Sequence, residues 1–308
     1  MTKAVAIGLV GCGKWGQHVL RDLKSLGANV TVVARSQASR SRAAEHQADA
    51  IVSCIAEMPS DLKGYVVVTP TDQHAEAIEA LIPRGRPIFT EKAMTHDVAA
   101  ARRIVQTGSG LVFVMDKWRY HPGIEALRKL HLSGRLGRTV ALHSYRWGWS
   151  TSHDELDSLW LLTPHDLAIA LHILGEVPKP VHATGRVLSS HASEMTAVLE
   201  TSQGVMVHFD ISSLRPGHQR MVSLIGDNGT AQLSDSYDQA LSLKVGKTGS
   251  RDAVDEKLPF GDAMPLLAEL QRFIHFINGG PPPMSTAAEG LKIVETIAAL
   301  RAMAGLGT

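Results

Sequence analysis

The chain has little cysteine, almost no net charge and no long apolar run. Its only two cysteines, Cys12 and Cys54, exclude a disulfide framework and a four-thiolate zinc site among the 308 residues. The 31 lysines and arginines balance 30 aspartates and glutamates, so a broad surface for nucleic acid is not expected. No segment approaches the roughly 18 consecutive apolar residues of a membrane helix, and the N-terminus lacks the features of a signal peptide. We therefore expect a cytoplasmic protein that binds neither membranes nor nucleic acid.

The composition is otherwise that of a globular protein. Hydrophobic residues make up 44% of the chain, which is enough for a sizeable core. At roughly 100–200 residues per domain, the length favours two domains. Histidine is abundant, with 15 copies, but there is no H-E-x-x-H motif and no clearly spaced histidine pair with a carboxylate. We therefore expect no catalytic metal ion.

A glycine-rich loop follows the first predicted strand. The apolar run Ala4–Val10 is typical of a parallel strand buried on both faces, and a helical period of apolar residues follows Gly16. Gly11 would permit a tight turn, Gly13 the close approach of a pyrophosphate, and Gly16 close packing of helix on strand. The helix N-terminus favours an anion. This context predicts dinucleotide binding rather than a plain glycine turn.

The same segment also fits the start of a phosphate-binding loop for nucleoside triphosphates, from Gly8 to Lys14. That motif requires Ser or Thr after the lysine, as a magnesium ligand. The next residue here is Trp15, so the triphosphatase interpretation fails. Lys14 and Trp15 are instead assigned to the dinucleotide-binding loop.

The end of the second predicted strand, Val30–Val33, bears on the choice between NAD and NADP. An NAD-specific site usually has Asp or Glu about 20 residues past the glycines, on the ribose 2′-hydroxyl. Here the strand is followed by Arg35 and Ser36, with no carboxylate at that point. Both side chains suit a 2′-phosphate, which favours NADP over NAD. The alternative is that Arg35 is only a solvated loop cation.

Strands and helices then alternate as far as about residue 120. The predicted strands are Tyr65–Thr69, Pro87–Thr90 and Leu111–Met115, and the predicted helices are Ala75–Ile82 and Val98–Val105. This order predicts an α/β domain over residues 1–120, a Rossmann-type doubly wound parallel sheet. Ligands of such sheets bind at the carboxyl ends of the strands. Two segments lie at such ends, Thr69–His74 and Glu91–Lys92.

The second half, residues 121–308, has a different pattern. After one helix near Ile124–Leu132, predicted strands follow one another with turn signals between them, as in Val205–Ile211 before Asp227–Gly229. This predicts an α+β domain with a largely antiparallel, open sheet, interrupted by a helix over Thr163–Leu174. Val245–Asp255 is interpreted as a polar loop. Two helices close the chain, and the last, about 286–304, is a candidate to pack back on the first domain.

Four features together resemble one family, the glucose–fructose oxidoreductase, inositol dehydrogenase and rhizopine-catabolism oxidoreductases. They are the glycine loop, the segment Thr69-Pro70-Thr71 with His74, the segment Phe89-Thr90-Glu91-Lys92, and the segment Trp160-Leu-Leu-Thr-Pro-His165-Asp166. The resemblance implies that Thr69, Pro70, Thr71, His74 and Glu91 lie over the cofactor and that Lys92 lies beside the nicotinamide. It also implies homodimers or homotetramers that form through the open sheet. Within the family, Trp160 and its neighbours look most like the branch that acts on nucleotide-linked sugars.

The chain departs from the family pattern at two positions. The proline of the family's E-K-P is Ala93 here, and that proline is often part of a cis-peptide turn, whereas other cis bonds are rare. The placement of the lysine is therefore expected to differ. The aspartate that the family has four residues before the histidine is Leu161 here, so one expected carboxylate is absent.

Two side chains are the candidates for proton handling in hydride transfer. A lysine in a partly dry cleft loses part of its affinity for a proton, so Lys92 would relay a proton or polarise a carbonyl. His165 would exchange a proton near neutral pH. The alternatives are a lysine paired structurally with Glu91 and a buried capping histidine. Asp166 is as good a helix-capping carboxylate as a substrate ligand.

Aromatic residues and one arginine are candidates for substrate binding. An aromatic ring can stack on a sugar, and a guanidinium can bind a phosphate or carboxylate. Interdomain or core packing explains the same residues without a ligand. The candidates are Trp118, Arg119, Tyr120, Trp147 and Trp160.

These observations predict an NAD(P)-dependent oxidoreductase that acts on a hydroxyl or keto group of a sugar, cyclitol or nucleotide-linked sugar. Leu161 and Ala93 motivate an alternative, a non-catalytic NAD(P)-binding sensor or regulatory protein of the same fold. A reductase for an imine or a tetrapyrrole would keep the cofactor and change the substrate.

Overall fold

The computed structural model describes residues 4–149, 157–188, 191–262 and 264–307. The chain divides into two compact units. The first contains the residues up to Lys117 together with Leu266–Val294, and the second contains Trp118–Pro265 together with the residues from Glu295 onward. The segment Leu266–Val294 thus belongs to the first unit, whereas it was predicted to lie in the second domain, residues 121–308.

The first unit is built on a six-stranded parallel sheet in the order β3-β2-β1-β4-β5-β6. Its strands are β1 (Ala6–Val10), β2 (Asn29–Val33), β3 (Ala50–Val52), β4 (Gly64–Val67), β5 (Ile88–Glu91) and β6 (Val112–Met115). The helices between them are α1 (Gly16–Ser25), α2 (Gln37–Glu45), α3 (His74–Leu81) and α4 (Val98–Thr107). The strand order reverses beside β1, which is the switch point where ligands of such sheets bind. The prediction of a doubly wound parallel sheet is confirmed.

The core of this unit follows from the apolar pattern of its elements. Strands β4, β5 and β6 are buried along their full length, as expected for parallel strands covered on both faces. Helix α7 (Pro265–Ile277) also packs here, and its Phe273 stacks on Phe89 of β5 with ring centroids 5.0 Å apart. Gly64 allows this approach, because a Cβ there would lie 2.6 Å from the Cδ1 atom of Ile277.

Helix α2 and strand β3 were not predicted from the sequence. Helix α2 is polar and buries only Ala43, so it has no apolar period. Strand β3 has three residues, and none of them is fully buried. Helix α2 thus lacks the apolar period of the other helices, and the apolar run of β3 is too short to identify a strand.

The second unit contains an eight-stranded sheet in the order β14-β13-β12-β11-β7-β10-β9-β8. Its neighbours are antiparallel except β7 and β10, which pair in parallel. The largely antiparallel sheet is therefore confirmed. Its strands are β7 (Thr139–Trp149), β8 (Lys179–Leu188), β9 (His191–Glu200), β10 (Met206–Ser212), β11 (Leu214–Gly226), β12 (Gly229–Leu233), β13 (Ala240–Val245) and β14 (Val254–Pro259).

The interpretation of Val245–Asp255 as a polar loop is wrong at both ends. Strands β13 and β14 form a hairpin that leaves only the residues between them as a loop. Strand β14 is at the edge of the sheet and its side chains are exposed or half-buried, so its sequence lacks the alternation of a covered strand.

Two helices pack on the sheet of the second unit, α5 (Pro122–Ser133) and α6 (Ser158–Leu174). Helix α6 begins five residues before the predicted start at Thr163. Its N-cap is Asp157, whose carboxylate accepts hydrogen bonds from the backbone N–H groups of Leu159 and Trp160. Pro164 therefore lies inside the helix and not in its first turn, where proline is most common.

The last helix, α8 (Ala287–Met303), begins in the first unit and ends in the second. In the second unit its Arg301 is paired with Asp157, the N-cap of α6, at 2.5 Å. None of the helices in the described part of the chain has the length and apolarity needed to cross a membrane. Within the same part, no group of three or more His, Cys, Asp or Glu side chains is placed to bind a metal ion.

Candidate active site

The glycine-rich loop has the geometry of a tight strand-to-helix turn. Gly11 has a φ of +100°, and a Cβ there would lie 3.0 Å from the Val68 carbonyl oxygen. A Cβ on Gly16 would lie 2.9 Å from the carbonyl oxygen of Gly11, so both positions require glycine. Gly13 differs, because a Cβ there would meet no described atom within 4 Å. The loop is therefore closely packed on its inner side and open at Gly13.

Trp15 connects this loop to the ends of two other strands. It is the N-cap of α1, and its indole N–H donates a hydrogen bond of 2.5 Å to Oε1 of Glu91, the last residue of β5. The ammonium of Lys117, just after β6, lies 4.6 Å from the centre of the Trp15 ring. His18 contacts the same ring edge-on at 5.9 Å. The indole is thus held by its edge and by one face.

A turn that contains Lys92 and Ala93, here called the Lys92 turn, directly follows β5. The backbone N–H of Lys92 donates a hydrogen bond of 3.1 Å to Oε2 of Glu91, and the Lys92–Ala93 peptide bond is cis. The turn therefore has the cis geometry that the resemblance associates with a proline. His74 lies behind it, with Nδ1 and Nε2 each 2.8 Å from a carbonyl oxygen, those of Ala93 and Thr69 respectively.

His74 is almost completely buried, at 1% exposed. Burial lowers the pKa of His74, and the nearby Lys92 acts in the same direction, whereas the two carbonyl contacts oppose it. Both ring nitrogens already contact the main chain. The contact of His74 with a cofactor therefore stays a prediction, and what the geometry supplies is a link between the Thr69 loop and the Lys92 turn.

The residues at this edge fit a dinucleotide. The Thr69 hydroxyl is buried and has no hydrogen-bond partner among the described residues, although buried polar atoms are normally paired. It lies at the end of β4, next to Pro70 and the buried Thr71. With the open position at Gly13 and the N-terminus of α1, it provides a hydrogen-bonding group, space and a favourable dipole for a bound pyrophosphate.

The residues after β2 form a basic, hydroxyl-rich edge. Arg35 and Ser36 are exposed, and Ser36 caps α2 by accepting a hydrogen bond from the Ser39 N–H at 3.1 Å. Arg40 donates to the Ser53 hydroxyl at 2.7 Å. Arg42 lies close enough to the glycine loop to oppose the rise in the pKa of the Cys12 thiol that burial causes. Lys14 is also exposed in that loop.

Two buried acids in the first unit were not found from the sequence. Asp116 directly follows β6 and is 2% exposed. Glu269 of α7 is fully buried, and neither of its carboxylate oxygens has a hydrogen-bond partner within the described residues. Burial raises the pKa of Glu269 well above its usual value, and Glu91 and Asp116 raise it further. No local motif marks either acid, and Glu269 lies on helix α7, far along the chain from Glu91 and Asp116.

In the second unit, Asp166 is part of a buried ion pair. Its Oδ1 accepts a hydrogen bond of 2.6 Å from the Ser144 hydroxyl, and its Oδ2 accepts one of 2.8 Å from Nε of Arg146. Arg146 and Asp166 are 3% and 0% exposed. Helix α6 is thereby attached to strand β7 one residue after His165. Substrate binding by Asp166 stays a prediction, since both oxygens already have partners in the chain.

Arg146 also brings Trp118 to this pair. Its guanidinium lies 4.8 Å from the centre of the Trp118 ring, which stacks on His121 at 5.2 Å. His121 accepts a hydrogen bond from the Gly123 N–H at Nδ1, and its Nε2 lies 3.0 Å from the Ser236 carbonyl oxygen. Burial lowers the pKa of His121, consistent with a neutral ring that donates through Nε2. Arg119 and Tyr120, between these two aromatic residues, are half-buried.

The other candidates of the second unit lie elsewhere. Trp147 is next to Arg146 on β7, so it points to the opposite face of the sheet, where it contacts Tyr145. Trp160 is 3% exposed, and the guanidinium of Arg301 lies 5.8 Å from its ring. His165 is 9% exposed in α6. Two of the predicted substrate-binding residues, Trp118 and Asp166, both contact Arg146.

Comparisons with known proteins identify the family of the chain. Residues 5–110 match the oxidoreductase family with an NAD-binding Rossmann fold, and residues 124–232 match the GFO/IDH/MocA C-terminal domain. Inositol 2-dehydrogenase of Ralstonia nicotianae is 31% identical to this chain, with 92% of this chain and 89% of that protein covered. Inositol 2-dehydrogenase of Rhizobium meliloti is 24% identical, with 93% of each chain covered.

Solved structures share the fold over nearly the whole length. UDP-N-acetylglucosamine 3-dehydrogenase from Acidithiobacillus ferrooxidans has a TM-score of 0.85 at 19% identity, covering 98% of this chain and 99% of that one. Levoglucosan dehydrogenase, in complex with NADH and levoglucosan, has a TM-score of 0.86 at 14% identity, covering 98% of both chains. Since the two matched domains span more than half of the sequence, the chain belongs to the Gfo/Idh/MocA family of NAD-binding oxidoreductases.

Proposed function

We propose that this protein is an NAD(P)-dependent dehydrogenase or reductase that acts on a hydroxyl or keto group of a sugar, a cyclitol or a nucleotide-linked sugar. The observation that carries the proposal is the arrangement at the carboxyl edge of the first sheet. The open Gly13, the unpaired Thr69 hydroxyl and the Lys92 turn all lie at ends of strands β1, β4 and β5. The relatives named inositol 2-dehydrogenase favour a cyclitol as the first substrate class to test.

Lys92 and His165 are the proposed proton-handling residues. A bound nicotinamide would donate or accept the hydride. When a hydride is removed from a secondary alcohol, the hydroxyl proton must also leave. A side chain whose pKa lies near the working pH can accept that proton. Lys92 would bind the reacting oxygen and accept or return its proton. We include Trp118, Arg119 and Tyr120 as substrate-binding residues.

We further propose that NADP is preferred over NAD. Arg35 and Ser36 are exposed after β2, Arg40 and Arg42 lie on the next helix, and the strand end itself carries no carboxylate. A guanidinium binds a phosphate through parallel, charge-assisted hydrogen bonds, so a 2′-phosphate would find suitable donors here. A cytoplasmic location also stays a prediction.

The deciding experiment is a screen of turnover by nicotinamide absorbance. Purified protein is incubated with inositols, free sugars and UDP-linked sugars, each with NAD and with NADP, and in the reverse direction with the reduced cofactors. We expect turnover with at least one polyol. Binding of dinucleotide without turnover on any class would instead support the non-catalytic sensor, for which Leu161 is the motivating residue.

Lys92→Ala should leave the dissociation constant of the cofactor near the wild-type value and abolish turnover, because the substitution removes the proton relay but no backbone donor of the glycine loop. Lys63→Ala, at an exposed position of the same unit, is the control and should behave as wild type. Unchanged kcat in Lys92→Ala would remove Lys92 from the mechanism.

At equal concentration, NADPH should raise the melting temperature more than NADH, since stabilisation by a ligand grows with its affinity for the native state. Arg35→Ala should remove most of this difference while leaving the effect of NADH unchanged. Equal shifts in the wild type, or a larger one with NADH, would contradict the assignment of Arg35 and Ser36 to a 2′-phosphate.

A further inference from the structure

The contacts of Trp15 join the glycine-rich loop to the Lys92 turn through a single carboxylate. Glu91 is 8% exposed, and each of its two oxygens is bound to a different segment of the chain. Oε1 accepts from the indole N–H of Trp15 at 2.5 Å, and Oε2 accepts from the backbone N–H of Lys92 at 3.1 Å. A shift of Trp15 would therefore move the Glu91 carboxylate, and with it the acceptor of the Lys92 backbone N–H.

The indole is suited to this connection. Its N–H is a donor only, so it cannot exchange roles with the carboxylate, and hydrogen bonds to a charged acceptor are stronger than neutral ones. The cation of Lys117 against one face and His18 at the ring edge restrict the orientation of the ring. Trp15 nevertheless remains 37% exposed, and it occupies the N-cap position of the helix whose N-terminus faces the proposed pyrophosphate site, without a capping hydrogen bond from its side chain. Neighbouring side chains thus restrain Trp15, while its exposed part leaves a bound ligand able to displace it.

We propose that Trp15 is a positioning residue that transmits occupancy of the glycine-rich loop by a dinucleotide to the Lys92 turn through Glu91. The inference rests on the proposed function, since it assumes a dinucleotide at the loop and Lys92 at the reacting oxygen. Its prediction is specific: loss of the indole N–H should uncouple the two segments without removing the cofactor-binding groups of the loop, which belong to the backbone.

Hydrogen exchange tests the coupling without any turnover. In the wild type, addition of the preferred dinucleotide should slow amide exchange both in residues 11–16 and in residues 88–95. In Trp15→Phe, which keeps a ring and loses the N–H, the slowing should persist in 11–16 and be lost in 88–95. Trp149→Phe, the same change at a tryptophan that is 76% exposed, is the matched control and should respond as wild type.

Kinetics supply the second readout. Trp15→Phe should bind the dinucleotide within about twofold of the wild type, while kcat falls about tenfold or more, the size expected for one hydrogen bond to a charged group. Glu91→Gln is a second variant, because an amide accepts at one atom only and its NH2 group would face a donor. It should show the same separation of kcat from cofactor affinity. Melting curves of both variants establish that they are folded.

The outcomes separate the two proposals. If the wild type binds neither dinucleotide, the proposed function and this inference both fall. If the wild type binds dinucleotide but Trp15→Phe keeps the exchange response in residues 88–95, only the inference is overturned. A large loss of dinucleotide affinity in Trp15→Phe would also overturn it, since Trp15 would then be a direct cofactor contact.

Discussion

Glu269 is a buried carboxyl group, and the free energy of unfolding should depend on whether it is protonated. Burial and the neighbouring Glu91 and Asp116 raise its pKa, while Lys117 acts against this rise. A group with a raised folded-state pKa stabilises the fold fully at pH values below its unfolded pKa of about 4.3, and this contribution is lost as the pH rises towards the folded pKa. Over that window a single such group changes the free energy of unfolding by about 1.4 kcal/mol per pH unit.

Glu269→Gln, which resembles the protonated carboxyl group, should therefore gain stability relative to the wild type as the pH is raised from 5 towards 8. The measurement is urea unfolding of both proteins at each pH, so that the other titrating groups cancel in the difference. Glu45→Gln, an exposed position on α2, should show no such trend. A pH-independent difference between Glu269→Gln and the wild type would show that Glu269 keeps the same charge throughout.

Individual residues were predictable where a motif is local. Gly11, Gly13 and Gly16 stand in one short segment, and their spacing alone indicates a turn, an opening and a close contact, which the structure contains. Glu269 could not be found in this way, because it lies on helix α7, far along the chain from its neighbours Glu91 and Asp116. For the same reason the pairing of Arg146 with Asp166 was not predicted, because the two residues lie on different elements.

The Arg146–Asp166 pair attaches helix α6 to strand β7. Removal of one partner should lower the free energy of unfolding by a measurable amount. Breaking a buried ion pair leaves one charge without compensation, which costs roughly 3–5 kcal/mol, whereas replacing both charges by apolar groups is often nearly neutral. Asp166→Asn should therefore lower the free energy of unfolding by several kcal/mol. Asp166→Leu combined with Arg146→Met should be clearly more stable than Asp166→Asn.

Chemical denaturation of the three proteins measures these differences, with Ser144→Ala as the variant that removes only the hydroxyl bonded to Asp166. If the double variant is less stable than Asp166→Asn, the pair stabilises the unit in a way that its charges alone do not explain.

Most buried strands of the first unit were predicted from their apolar runs, whereas α2, β13 and β14 were not predicted. Strands β4, β5 and β6 are buried throughout, so their composition identifies them. Helix α2 and strand β14 are mostly exposed, and their existence depends on neighbours that the local sequence does not record. The start of α6 was placed too late because Pro164 was expected in the first turn, whereas the actual cap is Asp157.

For the whole molecule, one face of the second sheet is the surface through which we expect two copies to associate. Along β7, Ser144 and Arg146 point towards α6, and the alternate residues His143, Tyr145 and Trp147 point to the other face. There His143 contacts His208 of β10 at 4.6 Å, and Arg215 lies 4.2 Å from the Trp147 ring centre. Aromatic and arginine side chains are the types enriched in protein interfaces.

Light scattering coupled to gel filtration should accordingly find a dimer or tetramer for the wild type. Tyr145→Glu should shift it to the monomer, because a carboxylate would lose its water on association without gaining a partner. Tyr237→Glu, at a tyrosine that is 87% exposed, introduces the same charge elsewhere in the second unit and should leave the oligomer intact. Since a side chain on this face is half-buried before association, Tyr145→Glu should still fold, and far-ultraviolet circular dichroism would verify this. A folded Tyr145→Glu protein that keeps the wild-type mass would exclude this face as the interface.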